Sequence, residues 1–127
     1  MLTEKERQYF KKQLTQRLNE SLAKVQETLV EISDFKEKLS DKMYQASLAS
    51  DMDFALRTKD WESKLIQRIR DALDRLQDDT FGICEECGEE IPLRRLMARP
   101  VTTLCMECKK EREAEERRRT MNQMADY

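Results

Sequence analysis

The sequence predicts a mainly α-helical protein, in which a long antiparallel coiled-coil hairpin is followed by a small four-cysteine module and a C-terminal helix. Three observations support this fold class. Charged residues make up 39% of the chain and aromatic residues only 6%, which is typical of long helices with solvated faces. Apolar residues recur at the helical period as far as residue 76, and all four cysteines come after residue 80.

The first helix has both a start signal and a periodic apolar stripe. Thr3 followed three residues later by Glu6 matches a capping box. The stripe consists of Phe10, Leu14, Leu18, Leu22, Val25, Leu29, Ile32, Phe35 and Leu39. Its mean spacing is about 3.6 residues, the period of an α-helix.

A second apolar stripe follows the first without any Gly or Pro between residues 1 and 81. It consists of Leu48, Met52, Leu56, Leu65, Ile69, Leu73 and Leu76. Two interpretations fit: one helix of about 75 residues in a dimeric coiled coil, or two helices folded back on each other. We favour the hairpin, with its tip near residues 39–46, because a partner helix from the same chain costs less entropy than a second subunit.

Three apolar residues lie outside the main stripe of the second helix. Phe54, Trp61 and Leu65 are spaced by seven and four residues and therefore share one face. We expect this face to pack against the N-terminal turns or the cysteine module. The alternative is an exposed surface that binds a partner.

The four cysteines form two closely spaced pairs, Cys84 with Cys87 and Cys105 with Cys108. Two such pairs supply four thiolates to one tetrahedral zinc ion, which leaves no position for water or substrate. We therefore predict one structural Zn²⁺, with Gly88 providing a positive φ after the first pair. The alternative is a redox-active dithiol, since a single C-x-x-C can serve that chemistry.

Other features of the sequence exclude several classes of function. The chain has no histidine, which excludes catalysis by Ser-His or Cys-His systems, and we expect no enzymatic activity. No apolar run exceeds three residues, so we expect no membrane span, no secretory signal and a cytoplasmic location. The net charge of -2 does not favour DNA binding through a global positive field.

We divide the chain into a coiled-coil hairpin over residues 1–80, a zinc-finger module over 81–110, and a C-terminal helix or tail over 111–127. The tail is dense in charges of both signs, with opposite charges three and four residues apart. This pattern favours a solvated helix, and we interpret the basic triplet 117–119 as part of its surface.

The sequence of the cysteine module closely resembles the DksA/TraR family. The resemblance lies in residues 81–88 (FGICEECG), 94–100 (RRLMARP) and 104–109 (LCMECK), and in residues 56–60 (LRTKD) and 64–66 (KLI) of the second helix. It covers roughly residues 5–115, without the N-terminal extension of longer family members.

The resemblance implies a transcription regulator that binds bacterial RNA polymerase as a monomer and reads no DNA sequence. Its coiled coil enters the secondary channel of the polymerase, and an acidic tip approaches the catalytic centre. The consequences are weaker initiation at ribosomal RNA promoters, activation at some biosynthetic promoters, and enhancement by the stringent-response nucleotide ppGpp.

The resemblance also assigns site residues. The family's tip pattern D-x-x-D-x-A falls on Asp41, Tyr44 and Ala46, so a neutral phenol replaces the second carboxylate. The family's ppGpp contacts fall on Arg68, Arg99 and Lys109.

Three alternatives to a working channel regulator remain open. One is a family member that binds the channel but has a different output because of Tyr44. The second is a dimeric coiled-coil zinc-finger adaptor that acts on DNA or another protein. The third is a thiol oxidoreductase, which only the two C-x-x-C pairs support.

Overall fold

A computed structural model describes residues 2–39 and 45–125 of the chain. Within these residues the fold contains four helices: α1 (Glu4–Lys38), α2 (Gln45–Gln77), α3 (Leu93–Ala98) and α4 (Met106–Ala125). None of them has the combination of length and apolar content that crossing a membrane requires. The four helices confirm the prediction of a mainly helical chain.

Helices α1 and α2 form the predicted antiparallel hairpin. The α1 helix begins as predicted, since the Thr3 hydroxyl accepts a hydrogen bond from the backbone N–H of Glu6 at 3.2 Å. Arg7 near the start of α1 donates to the carbonyl of Leu76 near the end of α2. Each arm has more than 30 residues and is therefore about 50 Å long.

The buried seam of α1 follows a different register from the predicted stripe. Leu22 and Leu29 are 40% and 41% exposed, whereas Ser21 and Thr28 are buried. From Leu14 to the C-cap of α1, the buried and half-buried positions are Leu14, Leu18, Ser21, Val25, Thr28, Ile32, Phe35 and Leu39. These positions alternate by four and three residues, as in a left-handed supercoil with a period of 3.5. The prediction that Leu22 and Leu29 are buried was wrong. It assumed that only apolar residues occupy the interface between the helices, whereas Ser21 and Thr28 are buried there.

The seam of α2 departs from its predicted stripe in the same way. Ala55 and Glu62 are buried, while Leu56 is 40% exposed. Glu62 lies in the hairpin interface with its carboxylate 3.5 Å from the ammonium of Lys24 on α1. A polar layer therefore interrupts the apolar seam near the middle of the hairpin.

The expectation that Phe54 and Trp61 pack inside the protein is wrong. Their exposed fractions are 73% and 62%, and only Leu65 of the predicted face packs against the core. Phe54 and Trp61 each come one residue before a seam position, which turns the side chain about 100° away from the partner helix. Leu65 lies beside the buried Ile66, on the edge of the seam.

The base of the hairpin and the cysteine module share one hydrophobic core. From the hairpin it includes Phe10, Leu14, Ile69, Ala72 and Leu76, and from the module Phe81, Cys84, Ile91, Leu96, Leu104 and Cys108. The rings of Phe10 and Phe81 lie 5.1 Å apart between centroids. Arg7 also pairs with Asp79 at 2.8 Å. The module is thus fixed to one end of a long hairpin.

Candidate metal centre

The first pair of cysteines lies in a tight turn. Ile83 and Glu90 form an isolated antiparallel bridge on either side of it. Inside the turn, the N–H of Gly88 donates to the carbonyl of Cys84 at 3.0 Å. Gly88 has a φ of +73°, as the sequence predicted, and this left-handed conformation is the one that glycine adopts at least cost.

The second pair lies at the beginning of α4. Cys105 immediately precedes the helix and Cys108 lies in its first turn. The N–H of Cys108 donates to the sulfur of Cys105 at 3.5 Å. The first turn of α4 and this N–H group therefore both lie next to the sulfur of Cys105.

The four sulfur atoms converge on one point. Cys87 Sγ and Cys105 Sγ are 3.8 Å apart, and all four Sγ atoms lie within 4.8 Å of one another. A tetrahedral site with Zn–S bonds of about 2.3 Å has sulfur atoms about 3.8 Å apart. The donor set and its size therefore fit one Zn²⁺ ion with a complete protein shell.

The pKa values of the thiols show why this cluster suits a cation. The backbone N–H groups of Cys87 and Cys105 lower the pKa of Cys84 to about 6. The neighbouring Cys105 thiol and burial raise the pKa of Cys108. At Cys87 the backbone of Glu89 lowers the pKa, but the adjacent thiols and burial outweigh it. Four sulfurs this close resist full ionisation by themselves, and a bound Zn²⁺ supplies the charge that stabilises four thiolates.

Arg95 is a positioning residue that the sequence analysis did not single out. Its Nε donates to the carbonyl of Leu104 at 3.1 Å, and its Nη2 contacts the Thr102 hydroxyl at 3.4 Å. Leu104 immediately precedes Cys105, so Arg95 on α3 fixes the approach to the second cysteine pair. The only sequence signal was its place within the motif of residues 94–100.

Two further contacts join the two halves of the cysteine module. The N–H of Glu85, next to Cys84, donates to the carbonyl of Thr103 at 3.0 Å. Arg112 on α4 forms an ion pair with Glu86 between the first two cysteines. The cysteine pairs are therefore held together by protein contacts as well as by their shared sulfur cluster.

The remaining predicted site residues are not part of this cluster. Asp41 and Tyr44 lie outside the described residues, and so does the side chain of Ala46. Arg68 is exposed on α2, Arg99 is exposed at the end of α3, and Lys109 is half-buried in the first turn of α4. Within the described parts of the chain, none of these three cationic side chains has a hydrogen-bond or ion-pair partner.

Comparison with known proteins identifies both halves of the chain. Residues 6–76 match the family described as DnaK suppressor protein DksA, N-terminal domain. Residues 79–114 match the prokaryotic dksA/traR C4-type zinc finger.

The chain is also similar to individual curated proteins and to a solved structure. RNA polymerase-binding transcription factor DksA of Caulobacter vibrioides (strain NA1000 / CB15N) is 37% identical over 116 residues, which are 91% of this chain and 82% of that protein. The protein of the same name from Escherichia coli (strain K12) is 36% identical over 101 residues, or 80% of this chain and 67% of that protein. The structure of transcription factor DksA2 from Pseudomonas aeruginosa has a TM-score of 0.82 and 37% identity, covering 90% of this chain and 88% of that one.

Proposed function

The chain belongs to the DksA/TraR family, and from that membership we propose that it is a transcription regulator that binds RNA polymerase directly. The observation that carries the proposal is that both halves of the family architecture are present in order, with the hairpin over residues 6–76 and the zinc finger over 79–114. The overall likeness to a transcription factor of the same family supports the same activity.

We further propose that the hairpin enters the secondary channel of the polymerase. The hairpin is thin and about 50 Å long, and the cysteine module shares its core only with the base of the two arms. A channel entered from outside requires this combination of a narrow rod and a broader base. The tip residues Asp41, Tyr44 and Ala46 would then act near the catalytic centre of the polymerase.

In this proposal the zinc ion has a structural role and the protein is not an enzyme. Four cysteines complete the coordination of Zn²⁺ and leave no position where a substrate or water could be activated. Specificity would come from the polymerase surface rather than from a DNA sequence. The regulator would act as a cytoplasmic monomer.

We also propose that ppGpp strengthens the effect through Arg68, Arg99 and Lys109. Arg and Lys are the side chains that bind phosphate groups in proteins, and none of these three has a partner within the described residues. The assignment comes from the family resemblance, and the availability of the three cations is what supports it here.

Transcription in vitro by a bacterial RNA polymerase from a ribosomal RNA promoter tests the proposal. The wild-type protein and a Tyr44→Asp variant are compared, each with and without ppGpp, beside a pull-down of the polymerase. We expect both proteins to bind polymerase and ppGpp to deepen any inhibition. Failure of the wild type to bind polymerase at moderate ionic strength would contradict the proposal.

The second candidate function is a channel-binding regulator with an altered output, and Tyr44 is the observation that favours it. A phenol is neutral near pH 7 and cannot oppose an arginine as a carboxylate does. If the wild type binds polymerase without inhibiting and Tyr44→Asp inhibits, this second function is the correct one. If the wild type inhibits transcription and Tyr44→Asp does not, Tyr44 itself contributes to the inhibition and the second function is excluded.

A further inference from the structure

A cavity lies where the base of the hairpin meets the cysteine module. Its volume is about 360 Å³, which is within the range of sites that bind small organic molecules. Three parts of the chain line it: the start of α1, the end of α2 with the turn after it, and the module on either side of the first cysteine pair. We call it the junction cavity.

The inner surface of the junction cavity is apolar. It is formed by side chains of the shared core that are almost completely buried, namely Leu76, Phe81, Ile91 and Leu96. Ile83 and Leu93 also line the cavity and are each 40% exposed, so the apolar surface continues from the core to the solvent. A ligand that displaces water from such a concave apolar surface gains binding energy.

The charged residues around the junction cavity are mainly acidic. Arg7 is the one cation among the described residues that line it. Its guanidinium pairs with Asp79 at 2.8 Å and donates to the carbonyl of Leu76, so its charge is already balanced. Glu4 and Glu6 line the cavity from the first turn of α1, and within the described residues neither carboxylate takes part in an ion pair.

The capping of α1 does not account for the position of Glu6. The Thr3 hydroxyl accepts the N–H of Glu6, but within the described residues the Glu6 carboxylate accepts no hydrogen bond in return, and a capping box would supply one. Glu6 is half-buried in the lining of the cavity. Glu90 also lines the cavity and takes part in another interaction, and without it the lining is still negative. Carboxylates beside an apolar surface attract a cation more strongly than they do in open water.

We propose that the junction cavity binds a small amphipathic organic cation, in which an apolar group carries an amine or a guanidine. The apolar group would lie against Phe81 and Ile91, and the cationic group beside Glu4 and Glu6. The inference does not rest on the proposed function. The ligand is opposite in charge to ppGpp, and none of the three cations proposed for ppGpp is among the described residues that line the cavity.

The shape of the junction cavity favours a small molecule over a protein partner. A protein interface needs about 800 Å² from each partner, whereas this site is a single concavity between three segments of one chain. Because the lining comes from α1, α2 and the module, a ligand there contacts both parts of the shared core. It therefore stabilises the attachment of the module to the hairpin, as does any ligand that binds only the folded state.

Two fluorescent probes of opposite charge test the proposal. Dansylcadaverine joins an apolar ring system to an ammonium group, and the dansyl amide of aminohexanoic acid joins the same rings to a carboxylate. Each probe is titrated with the zinc-loaded protein in the absence of polymerase, and a blue shift of the dansyl emission reports transfer to an apolar site. We expect dansylcadaverine to bind with a Kd below about 1 mM, and the carboxylate probe to bind about 10-fold or more weakly.

Charge-neutral variants test the role of the acidic residues. The Glu4→Gln/Glu6→Gln variant keeps a residue suited to the capping box at position 6 and should bring the affinities for the two probes to within about threefold of each other. Glu113→Gln/Glu116→Gln is the matched control, because it changes the net charge equally at exposed positions of α4 outside the cavity. This control should keep the preference of the wild type for the cation.

A substitution at the apolar wall tests the location of the site. Leu93→Arg places a cation and a longer side chain in the cavity and should abolish binding of dansylcadaverine. Met97→Arg makes the same change at an exposed position of α3 that is not part of the lining, and it should bind the probe as the wild type does. Circular dichroism verifies that the helicity of each variant is unchanged.

Equal affinity of the wild type for the two probes would overturn the inference, and so would binding that Leu93→Arg leaves unchanged or the absence of binding up to about 1 mM. Each of these results leaves the proposed function intact, because polymerase takes no part in the titration. Release of the bound probe by core polymerase would assign the cavity to a segment of polymerase and contradict the proposal. A dimer in sedimentation that Leu93→Arg dissociates would assign it to a second copy of this chain, with the same consequence.

Discussion

At the residue scale, the cysteine module depends on two glycines in the left-handed region. Gly82 and Gly88 have φ values of +80° and +73°. A Cβ at Gly82 would lie 3.1 Å from Cδ1 of the buried Leu96, whereas a Cβ at Gly88 would meet nothing within 4 Å. The two positions therefore share the conformational penalty of a side chain but differ in the space available for it.

We expect Gly88→Ala to lower the free energy of unfolding by about 1–2 kcal/mol, the cost of a left-handed non-glycine residue. Gly82→Ala should cost about 1 kcal/mol more, because the Leu96 side chain must also move. Urea denaturation of the zinc-loaded proteins measures both values, each variant serving as the control for the other. Equal effects would show that the contact with Leu96 relaxes freely.

Arg95 offers a second test at the same scale. Its guanidinium holds the Leu104 carbonyl and the Thr102 hydroxyl, so Arg95→Ala should leave the segment before Cys105 loosely held. We expect a loss of about 1–3 kcal/mol in stability, typical of removing hydrogen bonds made by a charged group, and faster zinc release to a chromophoric chelator. Arg94→Ala is the matched control, since Arg94 is exposed and has no partner among the described residues. Equal rates of zinc release from the two variants would exclude a positioning role for Arg95.

At the scale of elements, the polar layer of the hairpin is a feature that costs stability. Glu62 is buried and its one described cation is Lys24, which is itself mostly exposed. A buried carboxylate with a partly solvated partner gains little, because the loss of hydration offsets the attraction. Apolar residues in this layer would also allow neighbouring registers of the two helices, whereas a charged pair favours one register.

We expect Glu62→Leu to be neutral or to stabilise the protein by about 1 kcal/mol, since it removes a buried charge. Lys24→Ala should destabilise it by about 1–2 kcal/mol, because Glu62 then remains buried without its cation. Arg57→Ala is the control, as it breaks an exposed ion pair with Asp53 on the surface of α2 and should change stability by less than about 0.5 kcal/mol. Thermal unfolding compares the three variants, and a large loss of stability in Glu62→Leu would contradict this account of the layer.

The helical elements could be predicted from the sequence, but the faces that they bury could not be predicted in full. The period of the apolar residues, the capping box and the absence of Gly and Pro were sufficient to predict two helices. The seam depends on a supercoil, whose period of 3.5 differs from that of a straight helix by only about 20° per heptad. The seam positions Ser21 and Thr28 are small and polar and each is followed by a leucine, so a search for apolar side chains selects Leu22 and Leu29 instead. Phe54 and Trp61 each precede a buried seam position and are therefore exposed. The spacing of these residues in the sequence does not show whether the cysteine module lies close enough to cover them.

The metal centre was predictable for a different reason. The spacing of a C-x-x-C pair is enough to predict its geometry, since both cysteines can reach one ion from a single turn. The contact of Arg95 with Leu104 joins two segments whose proximity exists only after the module has folded. Sequence spacing therefore located the ligands of the ion but not the residue that positions them.

At the scale of the whole molecule, the cysteine module and the hairpin base are mutually dependent, while the rest of the hairpin is not. Cys84 and Cys108 belong to the same buried cluster as Phe10 and Leu14, so the sulfur cluster and the base of α1 are stabilised together. Farther along, Ile32, Leu48 and Ala55 are buried without any residue of the module in the seam. Removal of the metal should therefore affect the two ends of the hairpin unequally.

We expect zinc removal by a strong chelator to unfold the cysteine module and loosen the hairpin base while most of the signal from α1 and α2 persists. A four-thiolate site contributes several kcal/mol or more to a small module, so the melting temperature should fall by about 10 °C or more. Far-UV circular dichroism and hydrogen exchange measure the effect, with protection lost near Leu96 and Leu104 and kept near Ile32. Added Zn²⁺ should restore the native melting curve. An unchanged melting temperature would show that the zinc is not structural, and complete loss of helicity would show that the hairpin has no stability of its own.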